Sequence, residues 1–335
     1  MTIAVMADAK DPCQQHAMTQ VKAGKLLYCR VARTKIQTRW VFRLQMVLDG
    51  KPLMRHQAGI QKVGLDLGPS TITTVSDQGV YQEKFCAEIT DQSKMIRRLQ
   101  RKLDRQHRAG SKGCFDVKGR HIKGDCLWAW QSRSKRALQT QAQLAEISRR
   151  LAEHRKALHG NLANRILGQG VVIKAEKIAY KAWQKQFGRS VGRRSPGGFF
   201  SLLSRKAGNA GGAMSEINTW STKLSQACVC SRVEKKPLSL RVHRCPSCGL
   251  VTDRDVLSSL LVKHVTTDGT VHQLDLLSAQ SELSGRHDID GWSRSGSTNL
   301  RVPPAIRLGG QGEIPGSGSA ISFRITADAH LGEAA

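Results

Sequence analysis

The sequence predicts an α/β fold that combines a sheet, a helical insertion and a small metal-binding ribbon. Short apolar runs that end in an acid or a turn, such as Val63–Leu67 and Val171–Glu176, indicate buried strands. The basic stretch between them, residues 91–166, repeats apolar residues at helical spacing. Two close cysteine pairs further along the chain indicate a ribbon held by one metal ion.

The N-terminal segment, residues 1–60, is predicted to be a short β region. Residues 1–20 have no clear pattern and are expected to be irregular. Leu26–Val31 is typical of a strand, and Trp40–Leu48 alternates apolar and polar residues before an Asp-Gly turn. The first sixty residues therefore contribute a pair of strands to the predicted fold.

The core strands are predicted next along the chain. Gln61–Leu67 is an apolar strand of the buried type. Thr71–Ser76 and Val80–Phe85 are its expected antiparallel partners, because Asp77-Gln78-Gly79 between them is a turn sequence. After the helical insertion, residues 171–180 return to a strand.

The helical regions follow from apolar spacing. Residues 91–108 form a basic helix, and Trp128 to about Ile166 is predicted to be one long helix or a helical pair. Val256–His264 is typical of a short helix. Residues 181–212 are basic and interrupted by Gly, Ser and Pro, and a strong period is present only around Phe199–Leu203. The stretch with Arg189, Arg193 and Arg194 is interpreted as a loop, which is either a lid near the site or an ordinary exposed loop.

Nine cysteines are present, and four of them have the spacing of metal ligands. Cys228 with Cys230, and Cys245 with Cys248, suit one tetrahedral Zn²⁺ ion of structural type. His243 is an alternative ligand if both members of the first pair cannot reach the metal. The other five cysteines are scattered, so no disulfide framework is predicted.

Three acids stand on separate apolar elements. Asp66 lies in a strand between Gly64 and Gly68, Glu176 ends a later strand, and Asp255 lies next to a predicted helix. If these elements converge, as in an RNase H-like sheet, the carboxylates are ligands for Mg²⁺ or Mn²⁺ and support phosphodiester hydrolysis. The flanking glycines would let a phosphate backbone approach closely.

Each acid also has a purely structural interpretation. Asp66 can cap a bulge, and Glu176 can lie at a strand end in solvent. Asp253 or Asp255 can cap the helix that follows, because aspartate is favoured at that position.

The charge of the chain indicates a polyanionic partner. Lys and Arg number 53 against 26 Asp and Glu, a net charge of +27, which points to nucleic acid. The candidate binding residues are cations in the basic helix, the basic loop and the ribbon: Arg97, Arg98, Arg101, Arg105, Arg193, Arg194, Lys235 and Lys236. The basic helix is either a nucleic-acid contact or a solvated face. Trp128 and Trp130 either stack on bases or anchor a helix.

The ends of the chain and the cysteine usage bear on location. The first ten residues lack the features of a secretion signal, and no long apolar stretch or membrane anchor is visible, so no membrane association is expected. One metal site and no disulfides indicate a reducing cytoplasm, where the protein is expected with the nucleoid. Beyond residue 265 the apolar periodicity fades, and Pro- and Gly-rich runs predict a mostly disordered tail over residues 266–335.

The chain resembles the TnpB-type proteins of insertion sequences, the OrfB-family zinc-ribbon transposases related to type V CRISPR effectors. Residues 25–265 carry the resemblance, in four motifs: Gly64–Thr71, Val172–Glu176, Cys245–Gly249 and Asp253–Asp255. The resemblance implies a RuvC nuclease core over 61–265 split by the insertion at 91–166 and the ribbon at 224–250. Residues 1–60 would be a truncated recognition region with wedge-like strands.

In this family the matched acids Asp66, Glu176 and Asp255 are catalytic. The resemblance therefore implies a metal-dependent DNA endonuclease that is guided by RNA and acts through two metal ions, with guide RNA and DNA as partners.

The chain departs from the family pattern at three places. The first cysteine pair is C-x-C where the family usually has C-x-x-C, Leu257 stands where an asparagine is usual, and the N-terminal region is short. The last two departures favour an alternative, a non-cleaving RNA-guided binder or a truncated transposase remnant. A third hypothesis, a plain zinc-ribbon nucleic-acid-binding protein, leaves Asp66 and Glu176 without a role. The sequence does not determine the oligomeric state.

Overall fold

A computed structural model describes residues 10–36, 39–50, 53, 57–111, 113–122, 133–237, 239–268 and 271–285, and the backbone of 319–325. The helices in these ranges are α1 (Pro12–Lys22), α2 (Ser93–Gly110), α3 (Lys135–Gln169), α4 (Tyr180–Arg194), α5 (Pro196–Asn209), α6 (Thr219–Thr222), α7 (Arg254–Lys263) and α8 (Leu276–Ser284). The strands are β1 (Leu26–Ile36), β2 (Arg39–Leu48), β3 (Lys62–Leu67), β4 (Thr71–Ser76), β5 (Gly79–Lys84), β6 (Val172–Glu176), β7 (Ala213–Ile217), β8 (Val242–Arg244), β9 (Val251–Asp253), β10 (Val265–Asp268), β11 (Val271–Leu274) and β12 (Ser319–Ile325). The two tryptophans Trp128 and Trp130 lie outside the described residues, as does most of the tail.

The chain divides into two compact units. The first consists of the described residues of Met1–Leu48, Glu88–Ala157 and Ala320–Ala335, and the second those of Asp49–Ala87 and Leu158–Ser319. None of the described helices has the length and apolar content needed to cross a membrane.

The first unit contains the predicted N-terminal strands. β1 and β2 pair antiparallel, and β12 lies on the far side of β2. Ala17 of α1 packs with Met46 and Leu48 of β2 in a small core. α1 falls where the sequence suggested irregular structure. Its start is fixed by the Asp11 carboxylate, which accepts from the backbone N–H of Cys13, and by Pro12 in the first turn.

The second unit is built on a mixed five-stranded sheet, which confirms the α/β prediction. Its strand order is β5-β4-β3-β6-β7. β3, β4 and β5 pair antiparallel through the predicted turn, where Gly79 has a φ of 144°. β6 and β7 extend the sheet in parallel with β3. β3 and β6 are therefore adjacent, and their carboxyl ends lie at the same edge.

α7 covers the sheet at close range. Gly64 of β3 makes this possible, because a Cβ there would lie 1.8 Å from the carbonyl oxygen of Ser259 and 2.9 Å from Cβ of Lys263. We expected Gly64 to permit the close approach of a phosphate backbone, but in the structure it permits the close approach of helix α7. Lys174 of β6 donates to the carbonyl oxygens of Lys263 and Val265, where α7 ends.

The stretch with Arg189, Arg193 and Arg194, expected to be a loop, lies in helix α4, and helix α5 follows it. α4 ends at Arg194, the C-cap Ser195 has a φ of 51° that reverses the chain, and Pro196 begins α5. Phe199 anchors α5 by packing against Phe85 and His159, with ring centroids 5.4 Å away in each case. These contacts stabilise α5 against the cost of its glycines, about 1 kcal/mol each in a helix interior.

The beginning of the expected tail is folded. β10 and β11 form a hairpin, and α8 follows with Asp275 as its N-cap. Glu282 of α8 accepts from the buried Lys263 at 2.8 Å and contacts His264 at 2.5 Å. This pairing holds α8 against the end of α7, although the sequence beyond residue 265 has little apolar periodicity.

Candidate functional site

The three acids of the sequence analysis line one cavity of about 720 Å³ in the second unit. Asp66 is near the end of β3 and faces Thr73 in a regular ladder, so it does not cap a bulge. Glu176 is the last residue of the neighbouring strand β6, and Asp255 lies in the first turn of α7. Sheet topology and one helix therefore bring together residues that are 110 and 79 positions apart in the chain.

The two acids of the Asp-Arg-Asp motif have different positions. Asp253 is the N-cap of α7, and its Oδ1 accepts from the backbone N–H groups of Asp255 and Val256 at 2.8 and 3.1 Å. Asp255 does not cap the helix, and its carboxylate borders the cavity. The capping interpretation thus applies to Asp253, whose position orients Asp255.

The carboxylates oppose one another's ionisation. Burial raises the pKa of Asp66 well above its usual range, and the charges of Glu176 and Asp255 raise it further. Burial also raises the pKa of Glu176, while a hydrogen bond from Ser258 Oγ, at 3.4 Å from Oε1, acts in the opposite direction. Two buried carboxyl groups with raised pKa values, Asp66 and Glu176, at one cavity are a favourable setting for a divalent cation.

The sequence did not indicate the contacts that two arginines make with Asp255. Arg241 Nη1 donates to both carboxylate oxygens of Asp255, at 3.2 and 3.0 Å, and Arg254 Nε lies 3.7 Å from Oδ1. Pairing of β8 with β9 brings Arg241 next to Arg254, whose N–H donates to the Arg241 carbonyl at 2.7 Å. No local sequence pattern predicts this contact, because it depends on the antiparallel pairing of two three-residue strands.

The residues that replace the usual asparagine-containing motif have clear positions. Leu257 is 1% exposed and packs in the core between α7 and the ribbon. Ser258 donates to Glu176, and Ser259 donates to the carbonyl oxygens of Asp255 and Thr73. Position 257 therefore serves packing, and the hydroxyl of Ser258 reaches the site instead.

The four cysteines of the ribbon form a cluster compatible with zinc. Their Sγ atoms all lie within 4.8 Å of one another, with Cys228 and Cys248 3.6 Å apart and Cys230 and Cys245 3.5 Å apart. A tetrahedral zinc site with bonds of about 2.3 Å has sulfur–sulfur edges of about 3.8 Å. The C-x-C spacing thus allows both thiols of the first pair to reach the cluster.

His243, the alternative ligand, is not part of the cluster. It is buried, and its Nδ1 lies 2.6 Å from Nζ of Lys236. Burial raises the pKa of Cys245, but hydrogen bonds with the backbone N–H groups of Cys248 and Ser247 and with the thiols of Cys230 and Cys248 together lower it to about 6. That thiolate is available for a metal at neutral pH.

The predicted nucleic-acid-binding cations are distributed over both units. Arg97, Arg98, Arg101 and Arg105 are exposed on α2 in the first unit. Arg193 and Arg194 are half-buried at the end of α4, and the guanidinium of Arg194 donates to Ser190. Lys235 is exposed and borders the cavity of the carboxylates, whereas Lys236 contacts His243.

The carboxylates are less tightly gathered than the thiols. Within the described residues, the cysteine cluster is the group of three or more ligating side chains whose ligand atoms lie within 4.8 Å. The donor chemistry of Asp66, Glu176 and Asp255 nevertheless fits Mg²⁺ or Mn²⁺, because all three supply hard oxygen atoms at one cavity.

Comparison with known proteins places this site in context. The Cas12f1-like TNB domain family matches residues 197–262, which include the ribbon, Asp253 and Asp255. A solved structure, the cryo-EM structure of the Cas12f1-sgRNA-target DNA complex, has a similar fold with a TM-score of 0.50 and 12% sequence identity. The match covers 76% of this chain and 49% of that one, so the chain spans about half the length of its structural neighbour. No curated protein matches the chain.

The family match and the fold similarity concern different parts and properties of the chain. The family match concerns one fifth of the chain, and the structural match concerns the fold alone. Both agree with the motifs from which the resemblance was drawn. The similarity of residues 197–262 to the Cas12f1-like TNB domain and the similarity of the fold to Cas12f1 support a relationship to the TnpB-type proteins and type V effectors.

Proposed function

We propose that this protein is an RNA-guided DNA endonuclease that hydrolyses phosphodiesters at a RuvC-like site in the second unit. The observation that carries the proposal is the convergence of Asp66, Glu176 and Asp255 on one cavity, beside a ribbon similar to the Cas12f1-like TNB domain. The sheet order and the position of α7 are consistent with an RNase H-like core. Residues 61–265 would form this core, with the insertion at 91–166.

The residues of the cavity have distinct roles in this proposal. Asp66, Glu176 and Asp255 would hold Mg²⁺ or Mn²⁺, which when bound supplies an activated water and stabilises charge on the phosphate. Ser258 orients Glu176, and the N-cap Asp253 orients the turn that carries Asp255. Exposed cations at the same cavity attract the phosphates of the substrate and hold them beside the acids: Lys177, Lys223, Lys235 and Arg241.

The partners follow from charge and from the structural neighbour. A net charge of +27 favours nucleic acid, and Cas12f1 was solved with an sgRNA and target DNA. The exposed arginines of α2 are the proposed contact in the first unit. The ribbon would hold structural Zn²⁺ and position Lys235 and Arg241 at the cavity.

A cleavage experiment tests the proposal. The full chain is purified with its bound RNA, the RNA is sequenced, and a plasmid library with matching targets and randomised flanks is added. We expect cutting only with Mg²⁺ or Mn²⁺ and a loss of at least about 100-fold in Asp66→Ala, since a metal ligand contributes more than the 10–100-fold of an outer partner. Asp268→Ala, an exposed carboxylate on β10, is the control.

The outcomes separate the proposal from its main alternative. Undiminished cutting without divalent ions, or by Asp66→Ala, would overturn the metal-dependent site. A non-cleaving RNA-guided binder is favoured by one observation, the two hydrogen bonds that engage the Asp255 carboxylate with Arg241. Co-purified RNA and specific target binding without any cut in the wild-type protein would support that alternative.

A further inference from the structure

Two aromatic side chains of α4 line the cavity of the carboxylates. Trp183 and Phe187 are four residues apart, one helical turn, and share this cavity with Asp66 and Glu176. Trp183 is half-buried and Phe187 is 37% exposed. No residue of α4 is fully buried, so neither ring belongs to a core. The backbone leaves helical values at Phe187, which places that ring at a bend of α4.

These rings differ from the packed aromatic residues of the same unit. Phe199 contacts Phe85, His159 and Phe200. Within the described ranges, Trp183 and Phe187 make no contact with another ring or a cation. Apolar surface left open at a cavity costs about 25 cal/mol per Å² relative to burial, and such surface commonly marks a contact with a ligand.

The other walls of the cavity indicate the chemistry of that ligand. Lys177, Lys223 and Lys235 are exposed there, together with Arg241. Cations attract phosphates, whereas indole and phenyl rings offer faces on which nucleobases stack. A ligand that uses both features has phosphates and flat aromatic groups, as a nucleic acid does.

The spacing of Trp183 and Phe187 along α4 favours an unpaired strand. Residues four apart in a helix are separated by about 6 Å along its axis. Bases in a duplex strand are only about 3.4 Å apart and stack on each other, so their faces are closed to both rings. A cavity of about 720 Å³ is also in the size range of pockets that enclose a small ligand, about 300–1,000 Å³.

We propose that Trp183 and Phe187 form a stacking platform for the bases of a single strand and thereby select single-stranded over double-stranded nucleic acid at this site. The proposal rests on the function proposed above, in which the same cavity binds the scissile strand. Both are positioning residues, because they hold the bases while the carboxylates face the phosphate.

A double-mutant cycle between protein and oligonucleotide tests the platform. The full chain with its bound RNA carries Asp66→Asn in every arm, so that no strand is cut. Two proteins are compared at 200 mM salt: one keeps Trp183 and Phe187, and the other carries Trp183→Leu and Phe187→Leu. For each, the affinity for an oligothymidine of twelve nucleotides is compared with the affinity for an abasic backbone of the same length. Leucine keeps the apolar surface and removes the ring.

We expect the leucine variant to lose roughly 5- to 150-fold in affinity for oligothymidine per stacked base, and less than about 2-fold for the abasic backbone. Trp183→Tyr with Phe187→Tyr should retain most of the affinity, and duplex DNA should be unaffected by either change. Equal losses on the abasic backbone and on oligothymidine would overturn the platform, because a structural effect does not depend on the bases.

Photocrosslinking gives a second measurement that is independent of affinity. Single strands that contain 5-iododeoxyuridine should form adducts at Trp183 or Phe187, and the matching duplex should not. Adducts only elsewhere in the chain would contradict the proposal. If the wild-type protein shows this base-dependent binding but does not cut DNA, the endonuclease proposal fails and the platform stands. If it cuts DNA but the leucine changes do not alter base-dependent binding, the platform fails and the endonuclease proposal stands.

Discussion

Asp66 is a residue whose charge is opposed by its surroundings. Burial and two neighbouring carboxylates raise its pKa, and the same features make it a metal ligand in the proposed function. The sequence predicted this residue from a lone acid in an apolar strand. The contact of Arg241 with the neighbouring Asp255 was not predicted, because it depends on the folded ribbon. Carboxylates in a mechanism are thus easier to find from sequence than the cations that balance them.

The raised pKa of Asp66 predicts a stability cost at neutral pH. Because its folded pKa exceeds its unfolded pKa of about 3.8, the folded state binds the proton more tightly. The stabilisation is complete below the unfolded pKa and is lost as pH rises through the folded one. Asp66→Asn should therefore raise the melting temperature at pH 7 in buffer free of divalent ions, by about 2–4 °C for each kcal/mol relieved.

Three comparisons check this prediction by calorimetry. The gain in Asp66→Asn should shrink as the pH is lowered towards 4, since the wild-type carboxyl then becomes neutral. Asp268→Asn should show no gain, and added Mg²⁺ should stabilise the wild type more than Asp66→Asn. Chelators are left out so that the thiolate site keeps its metal. A lower melting temperature for Asp66→Asn at pH 7 would contradict the argument.

At the scale of elements, apolar period and turn residues were sufficient for β3, β4 and β5. Apolar period and turn residues were insufficient for β7, because its sequence has no clear strand pattern and its structure depends on pairing with β6. A Cβ on Gly212 would lie 2.3 Å from the carbonyl oxygen of Val171, so glycine permits this pairing. α4 and α5 were missed because glycines hide their period and tertiary contacts such as Phe199 with Phe85 stabilise them.

The ribbon makes a prediction about metal at the same scale. Purified protein should contain about one zinc ion per chain, and Cys245→Ser with Cys248→Ser should release it. Because buried Cys228, Val229 and Leu257 share one core, loss of zinc should also expose residues 224–250 to protease. Elemental analysis and limited proteolysis measure both effects. Cys29→Ser, an exposed thiol on β1, is the control and should retain zinc.

At the scale of the whole molecule, the dominant property is an excess of positive charge. The surplus of 27 is spread over both units, so binding to nucleic acid contains a large counterion-release term. Composition alone predicted this property. It does not tell which surface binds, because the arginines of α2 are exposed whether they contact a duplex or only water.

Salt dependence distinguishes these two possibilities. With about six to ten phosphates engaged, affinity should fall roughly a thousandfold or more between 50 and 200 mM salt. Replacing four arginines of α2 by glutamine should reduce the log–log slope by up to about 3.6, with zinc content unchanged. These are Arg97, Arg98, Arg101 and Arg105.

A charge-matched control on α3 separates a binding face from net charge. It replaces four other cations of the same unit by glutamine: Lys135, Arg136, Arg150 and Lys156. We expect the control to change the slope much less than the α2 variant. Equal slopes for both variants would mean that the α2 arginines contribute only as part of the overall charge.

The contact between Gly64 and α7 fixes the distance between the strand that carries Asp66 and the helix that carries Asp255. Asp66 and Asp255 lie on two elements that approach closely at Gly64, where an added Cβ would lie 1.8 Å from the backbone carbonyl oxygen of Ser259. Gly64→Ala should push α7 outward and cost about 1–3 kcal/mol of stability through overpacking. A displacement of about 1 Å at a catalytic group costs about 100-fold in rate. Cutting should therefore slow while zinc is retained, and Gly160→Ala, where a Cβ meets nothing within 4 Å, should cut normally. A single methyl group, two residues from Asp66, is then enough to displace Asp255 relative to Asp66 although neither carboxylate is changed.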